Sequence, residues 1–173
     1  MNLTVGGGSV SDIKTLETGQ YDAMCVDVVY PVVKQYNAKE KPKQTVMFIF
    51  EINKKRVLAD GSEDERNYLV FSKNYTITLT PKSHLLPLLT SWLGVPKLDA
   101  GTNVALDDFY KKPAKLMVTE EPRKSGGGTY AQIVKVSPSD LEFETDPNYE
   151  RKDPKDFSDI EIRDEIGGTK TPF

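Results

Sequence analysis

The sequence predicts an all-β fold, rich in strands and with one main helix, arranged as a five-stranded barrel. Three observations predict this class. Five segments are rich in β-branched and aromatic residues, which favour strands. One amphipathic segment with helical spacing lies between the third and the fourth of them. The fourth and fifth are joined by a Gly-rich loop, residues 123–129, which is typical of a hairpin.

Each strand is predicted from a short apolar or alternating run. Residues 67–80 show the clearest pattern, because apolar and polar side chains alternate in their second half as in a half-buried strand. The other four strands are predicted at residues 21–33, 44–52, 113–120 and 130–136. Pro31 ends or bends the first of these strands, and residues 53–66 are predicted as a charged loop with a turn at Asp60-Gly61.

The main helix is predicted to begin at Pro81, with Thr80 as its cap, and to end at Gly94. One apolar face is formed by Leu85, Leu88, Leu89 and Trp92. Trp92 is expected to pack between this helix and the barrel rather than to contact a ligand. Pro87 would interrupt the helix unless it falls within a first turn that begins nearer Ser83. A short second helix is predicted at residues 106–110.

Five strands with a helix between the third and the fourth follow the order of the OB-fold, a small barrel that binds oligonucleotides and oligosaccharides. In that fold, ligands lie across strands two and three, between the loop that joins strands one and two and the loop that joins strands four and five. Both loops are basic here, which indicates contact with nucleic acid. The cations of the two loops are Lys34, Lys39, Lys41, Lys43, Arg123 and Lys124.

Composition and charge divide the chain into three parts: a flexible, Gly/Ser/Thr-rich arm (residues 1–18), an OB-fold domain (19–138) and an acidic, disordered tail (139–173). Residues 139–173 carry 11 acidic and 5 basic side chains, a net charge of −6. Residues 1–138 carry 18 basic and 15 acidic side chains, a net charge of +3. A basic body with an acidic tail indicates nucleic-acid contact by the body, with a tail that repels DNA or recruits partners. Removal of the residues after Pro138 is therefore expected to preserve or tighten DNA binding.

Binding of a single strand requires cations for the phosphates and flat rings that stack on the bases. Rings on or beside the expected face include Tyr68 and Phe71. From the available rings and cations we select, as candidate single-stranded-DNA contacts, Tyr36, Lys41, Lys43, Phe48, Phe50, Lys54, Lys73, Tyr75, Arg123, Lys124, Tyr130 and Lys135. Lys73 and Tyr75 share a strand face, so that one can hold a phosphate while the other stacks. The alternative for Phe48, Phe50 and Tyr75 is that they belong to the barrel core.

The sequence offers little for catalysis. Its single cysteine, Cys25, lies in an apolar run and is expected to be a buried hydrophobic residue. The single histidine, His84, is expected on the surface, and Asp107 and Asp108 suit the start of a helix. No zinc-ligand spacing, nucleophile elbow or P-loop ending is present. We therefore expect a protein that is not an enzyme, needs no cofactor or metal and has no membrane span.

Short motifs in a characteristic order resemble the OB-fold single-stranded DNA-binding proteins encoded beside phage replication genes. The motifs are residues 19–23 (GQYDA), 48–52 (FIFEI), 72–76 (SKNYT), 91–94 (SWLG), 106–109 (LDDF) and 128–131 (GTYA). The C-terminal Pro172-Phe173 is similar to the tip of bacterial single-stranded DNA-binding proteins, which recruits replication and repair enzymes. Here Gly167, Gly168 and Lys170 separate the acids from that tip.

This resemblance implies sequence-independent binding of single-stranded DNA, and its protection during phage replication or recombination, in the cytoplasm of the infected bacterial host. It also implies replication or recombination proteins as partners of Pro172 and Phe173, and a homodimer is a possible state. The alternative is an OB-fold protein-interaction module of a phage, a structural or anti-host factor that does not bind nucleic acid. An RNA-binding OB protein also stays open at this point.

Overall fold

Two long antiparallel strands, β1 (Gly19–Val29) and β3 (Lys43–Val57), form the centre of the fold. The structure is a computed structural model that describes residues 13–30, 32–33, 43–77, 79–80, 82–98, 103–152 and 160–161. The other elements are β2 (Val32–Val33), β4 (Glu63–Phe71), β5 (Tyr75–Thr76), α1 (Leu85–Leu93), β6 (Asn103–Val104), a 3₁₀ helix (Leu106–Phe109), β7 (Pro113–Pro122), β8 (Thr129–Pro138) and β9 (Ile160–Glu161).

The main sheet is antiparallel and has β1 between β3 and β7. Strand β8 pairs with the far edge of β7, whereas β2, β4 and β5 pair with β3. No ladder joins β4 to β8 within the parts of the chain that the structure describes, so the sheet is open there. The predicted β-rich class, with one main helix between the third and fourth long strands, is confirmed.

Strands β3 and β4 form a longer hairpin than the sequence predicts. Residues 53–66, expected as a charged loop, instead continue both strands to a turn at residues 58–62. The turn is stabilised by Asp60, whose carboxylate accepts hydrogen bonds from the backbone and the hydroxyl of Ser62, and by Gly61 with φ of 89°. Arg56 and Asp64 form an ion pair across the two strands. Opposite charges on neighbouring strands stabilise an exposed hairpin, so a charged composition does not by itself indicate a loop.

The core of the fold is centred on Trp92 of α1, as predicted. Its ring contacts Phe48, Phe50 and Phe109, with centroid separations of 5.5, 5.2 and 4.8 Å. The Trp92 Nε1–H donates to the carbonyl of Pro113 at 3.0 Å, which fixes the helix against β7. This packing makes Phe48 and Phe50 core residues, so the prediction that they contact DNA is wrong. Both rings are buried at 0% and 1% exposure, on the inward face of β3.

Helix α1 begins later than the sequence predicts and ends where it predicts. It starts at Leu85 rather than at Pro81, and the Ser83 hydroxyl accepts a hydrogen bond from the backbone N–H of Leu86 at 3.2 Å. Pro87 therefore lies in the first turn, where the backbone N–H has no partner in the helix. Gly94 ends the helix in the left-handed conformation, with φ of 74°.

The outer face of β1 and β3 carries a second apolar cluster of Val26, Val29 and Ile49. A β-bulge after Cys25 shifts the register, so that Asp27 lies opposite Ile49 on this outer face. The cluster is covered by the strap, the name used here for residues 139–152. Sequence analysis assigns these residues to the disordered tail, whereas the structure packs them on the sheet. The side chains of the remaining tail, residues 153–173, lie outside the described residues.

Candidate nucleic-acid interface

An open groove of about 1420 Å³ lies beside β4, on the side where the sheet has no further ladder. Three further parts of the chain line it together with β4 and with Glu51 and Arg56 of β3. They are the hairpin loop between β7 and β8, the segment of residues 13–17 before β1, and the strap. The groove is therefore built from segments that are far apart in the sequence.

Strand β4 supplies apolar side chains to the floor of the groove. Alternation along the strand buries Tyr68 and Val70 and leaves Leu69 and Phe71 at 40% and 47% exposure. Leu69 and Phe71 lie opposite Glu51 and Ile49 of β3, on the outer face of the sheet. Phe71 is therefore a ring that a nucleobase can reach without any change in the core.

The hairpin loop between β7 and β8 supplies a cation beside a ring. The Arg123 guanidinium lies 5.8 Å from the centroid of Tyr130, and Tyr130 is 38% exposed. The backbone N–H of Arg123 donates to the carbonyl of Gly128 at 2.9 Å, across a loop that contains two glycines with positive φ. This closed loop holds Arg123 and Tyr130 together at the edge of the groove.

Residues 13–17, predicted as part of a loose arm, are tied to both hairpins. The Tyr68 hydroxyl donates to the carbonyl of Lys14 at 2.9 Å, and the Thr129 hydroxyl donates to the Thr15 hydroxyl at 2.8 Å. The Leu16 side chain is buried in the core. This segment lines the groove and adds Lys14 to its cations.

The strap is fixed by two buried carboxylates of the sheet. Asp27, which is 0% exposed, accepts hydrogen bonds from the Tyr149 hydroxyl (2.8 Å), Arg151 Nε (3.1 Å) and the backbone N–H of Lys152 (2.8 Å). Glu51, which is 2% exposed, accepts from the backbone N–H of Asp146 at 3.0 Å. Burial and the hydrogen bond to Asp27 raise the pKa of Tyr149, so its hydroxyl stays protonated.

Arg151 holds the end of the strap in place by two further contacts. Its guanidinium lies 4.0 Å from the centroid of the Tyr110 ring, and one of its terminal nitrogens is 3.5 Å from the carbonyl of Val28. The ion pair with Asp27 compensates a charge that would otherwise be buried alone. These contacts make the strap an integral layer of the domain.

The charges that line the groove are of both signs and enter it at different points along β3. The backbone N–H of Lys14 donates to the carbonyl of Val57, six residues along the strand from Glu51, which accepts from the strap. The strap side carries Asp146 and Glu150, together with the buried Glu51, and none of its lining residues is basic. The other lining residues include four cations and two acids. Those cations are Lys14, Arg56, Arg66 and Arg123, and the acids are Glu17 and Glu120. The side away from the strap is therefore the positive one.

Of the selected contacts whose side chains the structure describes, two line this groove, Arg123 and Tyr130. Lys73 and Tyr75 do lie together, with the ammonium 5.3 Å from the ring centroid, but they are beyond the end of β4 and do not line it. Tyr75 is partly buried against the core, which matches the alternative noted for it.

Three other selected cations are solvent-accessible but do not line the groove: Lys54, Lys124 and Lys135. Several selected residues lie outside the described residues: Tyr36, Lys41, the side chain of Lys43, Pro172 and Phe173. The contact of nucleic acid with the basic loop between strands one and two therefore stays a prediction.

The groove also contains residues that the selection from sequence missed. Phe71 is one of the rings that the sequence offers but not one of the selected contacts, and Leu69, Arg66 and Tyr149 belong to neither group. For Leu69 and Phe71 a signal was present, because they alternate with the core residues Tyr68 and Val70 along β4. Tyr149 has no such signal, since its position depends on a hydrogen bond to Asp27, 122 residues earlier.

The structure places the single cysteine and the single histidine of the chain in different environments. Cys25 is buried, and burial raises the pKa of its thiol to about 12. His84 is exposed beside α1. Among the described residues no group of three or more His, Cys, Asp or Glu could hold a metal ion. No helix in the described ranges is long and apolar enough to cross a membrane.

Comparison of the chain with protein-family models, with curated proteins and with solved structures gives no match. The functional argument therefore depends on the groove and on the residues that line it.

Proposed function

We propose that this chain is a single-stranded nucleic-acid-binding protein. More specifically, we propose a phage-type, largely sequence-independent single-stranded DNA-binding protein that protects DNA during replication or recombination. The observation that carries the proposal is the groove, which is lined by two exposed rings, Phe71 and Tyr130, and by four cations, of which Arg56 is already paired with Asp64. Single-strand binding requires this combination of stacking surfaces and phosphate partners.

The strand order supports an OB-fold as the scaffold. Three long strands precede α1 and two follow it, and β1 pairs with both β3 and β7. In addition, β4 and β8 approach each other, so that the ends of the sheet curve toward one another. An OB-fold would place its ligand across the strands that correspond to β3 and β4 and beside the β7–β8 loop. The groove occupies that position.

A titration tests this function directly. A fluorescent oligo-dT is titrated with the protein at increasing salt, alongside a duplex of the same length. We expect binding at low salt that weakens steeply as salt increases, because cations of the protein displace counterions from the phosphates. Absence of binding at low salt, or equal binding to duplex, would refute the proposal. Absence of binding would leave the protein-interaction module as the alternative.

The rings of the groove are tested with Phe71→Ala. Loss of one stacking partner costs about 1–3 kcal/mol, so oligo-dT affinity should fall by about 5- to 150-fold. Val134→Ala is the matched control, because Val134 is an exposed strand residue that does not line the groove. Equal affinities of the two variants would show that Phe71 makes no contact with the bases.

The phosphate contacts are tested with Arg123→Ala. Loss of one phosphate contact should reduce the slope of log affinity against log salt by about 1. Lys135→Ala removes a cation that lies outside the groove, and its slope should equal that of the unmodified protein. A reduced slope in Lys135→Ala with no change in Arg123→Ala would place the DNA on a different surface.

A further inference from the structure

The strap has a face toward the groove that differs in chemistry from every other wall. Asp146, Asn148, Tyr149 and Glu150 line the groove, and no cation of the strap does so. The Tyr149 hydroxyl is directed away to Asp27, so Tyr149 contributes its ring rather than its hydroxyl. Within the described residues the Glu150 carboxylate forms no hydrogen bond or ion pair, and Asp146 uses its Oδ1 atom for the backbone N–H of Asn148. Carboxylate oxygens are therefore free to accept hydrogen bonds from a ligand.

The position of this wall is fixed rather than adjustable. Asp27 and Glu51 hold residues on both sides of Tyr149 by hydrogen bonds from beneath. A strand that enters the groove therefore meets the two carboxylates at a defined distance from Phe71 and Tyr130. It cannot displace them without exposing the apolar cluster that the strap covers.

The separation of charge determines how a single strand lies in the groove. Phosphates are attracted to the side with Lys14, Arg66 and Arg123 and are repelled by Asp146 and Glu150. The backbone of the strand therefore follows the cationic side, and the base edges point toward the strap. Carboxylates at base edges accept hydrogen bonds from amino groups, as Asp and Glu do from N4 of cytosine.

We propose that the strap is the base-facing wall of the groove, and that Asp146 and Glu150 favour bases with exocyclic amino groups over thymine. Cytosine, adenine and guanine carry such an amino group. Thymine has none, and its single N3–H donor lies between the O2 and O4 acceptors, which repel a carboxylate. This inference rests on the proposed function and adds to it a modest base preference, of a size compatible with sequence-tolerant binding.

The test compares fluorescent oligo-dC and oligo-dT of about 20 nucleotides, a length above the usual site size of such folds. The full chain should bind oligo-dC about fivefold more tightly than oligo-dT, the lower end of the range for one base contact. In the double variant D146N/E150Q this preference should be lost and oligo-dT should bind more tightly. The D146N change keeps an oxygen that can accept the N–H of Asn148.

The matched control is E142Q/E144Q, which removes the same two charges from exposed strap residues that do not line the groove. This control should retain the fivefold preference. Binding of both oligonucleotides by the full chain with equal affinity would overturn the inference and leave the proposed function intact. An equal loss of the oligo-dC preference in both double variants would also overturn it, because the change in net charge would then explain the loss. Failure of the full chain to bind either oligonucleotide would refute the proposed function itself.

Discussion

A chain that ends at Pro138 should be far less stable than one that ends at Lys152. Truncation at Pro138 removes the whole strap, including the Tyr149, Arg151 and Lys152 donors to Asp27 and the Asp146 donor to Glu51. Truncation at Lys152 keeps all four donors. Both truncations remove acidic residues, so a comparison of the two separates the role of the strap from that of the remaining tail.

The size of the effect follows from these contacts. Four hydrogen bonds at about 1 kcal/mol each contribute about 4 kcal/mol, since the freed carboxylates regain water when the strap is absent. Exposure of Val26, Val29 and Ile49 adds to the loss, at up to about 1.5 kcal/mol for each side chain. For a chain of this size about 4 kcal/mol corresponds to a decrease of about 10 °C or more in Tm.

The assay is thermal unfolding followed by circular dichroism, at equal concentrations of the three chains. The chain ending at Lys152 should melt within a few degrees of the full chain, although it loses the short β6–β9 ladder. A chain ending at Pro138 that also melts within about 3 °C of the full chain would refute the structural role of the strap. Residues 153–173 carry six acids and three bases, so DNA binding by the chain that ends at Lys152 should be preserved or tighter.

Two predictions concern the core. Phe50→Ala should lower the free energy of unfolding by about 3–5 kcal/mol, because it leaves a cavity beside Trp92. Urea unfolding measures this loss. A loss below about 1 kcal/mol would contradict the packing of Phe50 against Trp92. The pKa of Cys25 is about 12 in the folded chain, above its ordinary value of 9.0, so its contribution to stability is complete below about pH 9 and is lost as pH rises toward 12. Between these values the free energy of unfolding should fall by about 1.4 kcal/mol per pH unit from this group. Urea unfolding of Cys25→Ala should show a shallower decrease, and an identical pH dependence in both chains would exclude Cys25 as the cause.

The sequence predicted well those features that depend on local pattern. The β-rich class, the helix between the third and fourth long strands, the end of that helix at Gly94 and the burial of Trp92 and Cys25 all follow from periodicity or from single-residue preferences. The β3–β4 hairpin was misjudged because its residues are charged. The contribution of these charges depends on partners in the opposite strand, which a linear pattern does not reveal.

The candidate site was harder to predict, because inward and outward faces of a strand look alike in an apolar run. Phe48 and Phe50 lie in such a run, and only its pairing with β1 and β4 places them inside. Phe71 stands in an alternating segment and could have been preferred on that ground. The strap gave no signal at all, since its acidic composition is typical of disorder and its order depends on two carboxylates in distant strands.

The hydrogen bonds of Asp27 have a consequence for the order of events during synthesis. This carboxylate belongs to β1, yet its three strap donors lie 122 to 125 residues later in the chain. Until they emerge, that surface of the nascent sheet must keep the carboxylate hydrated. Contacts of such long sequence separation form late and slow the final stage of folding. The domain therefore reaches its native state only after the strap, residues 139–152, has been translated.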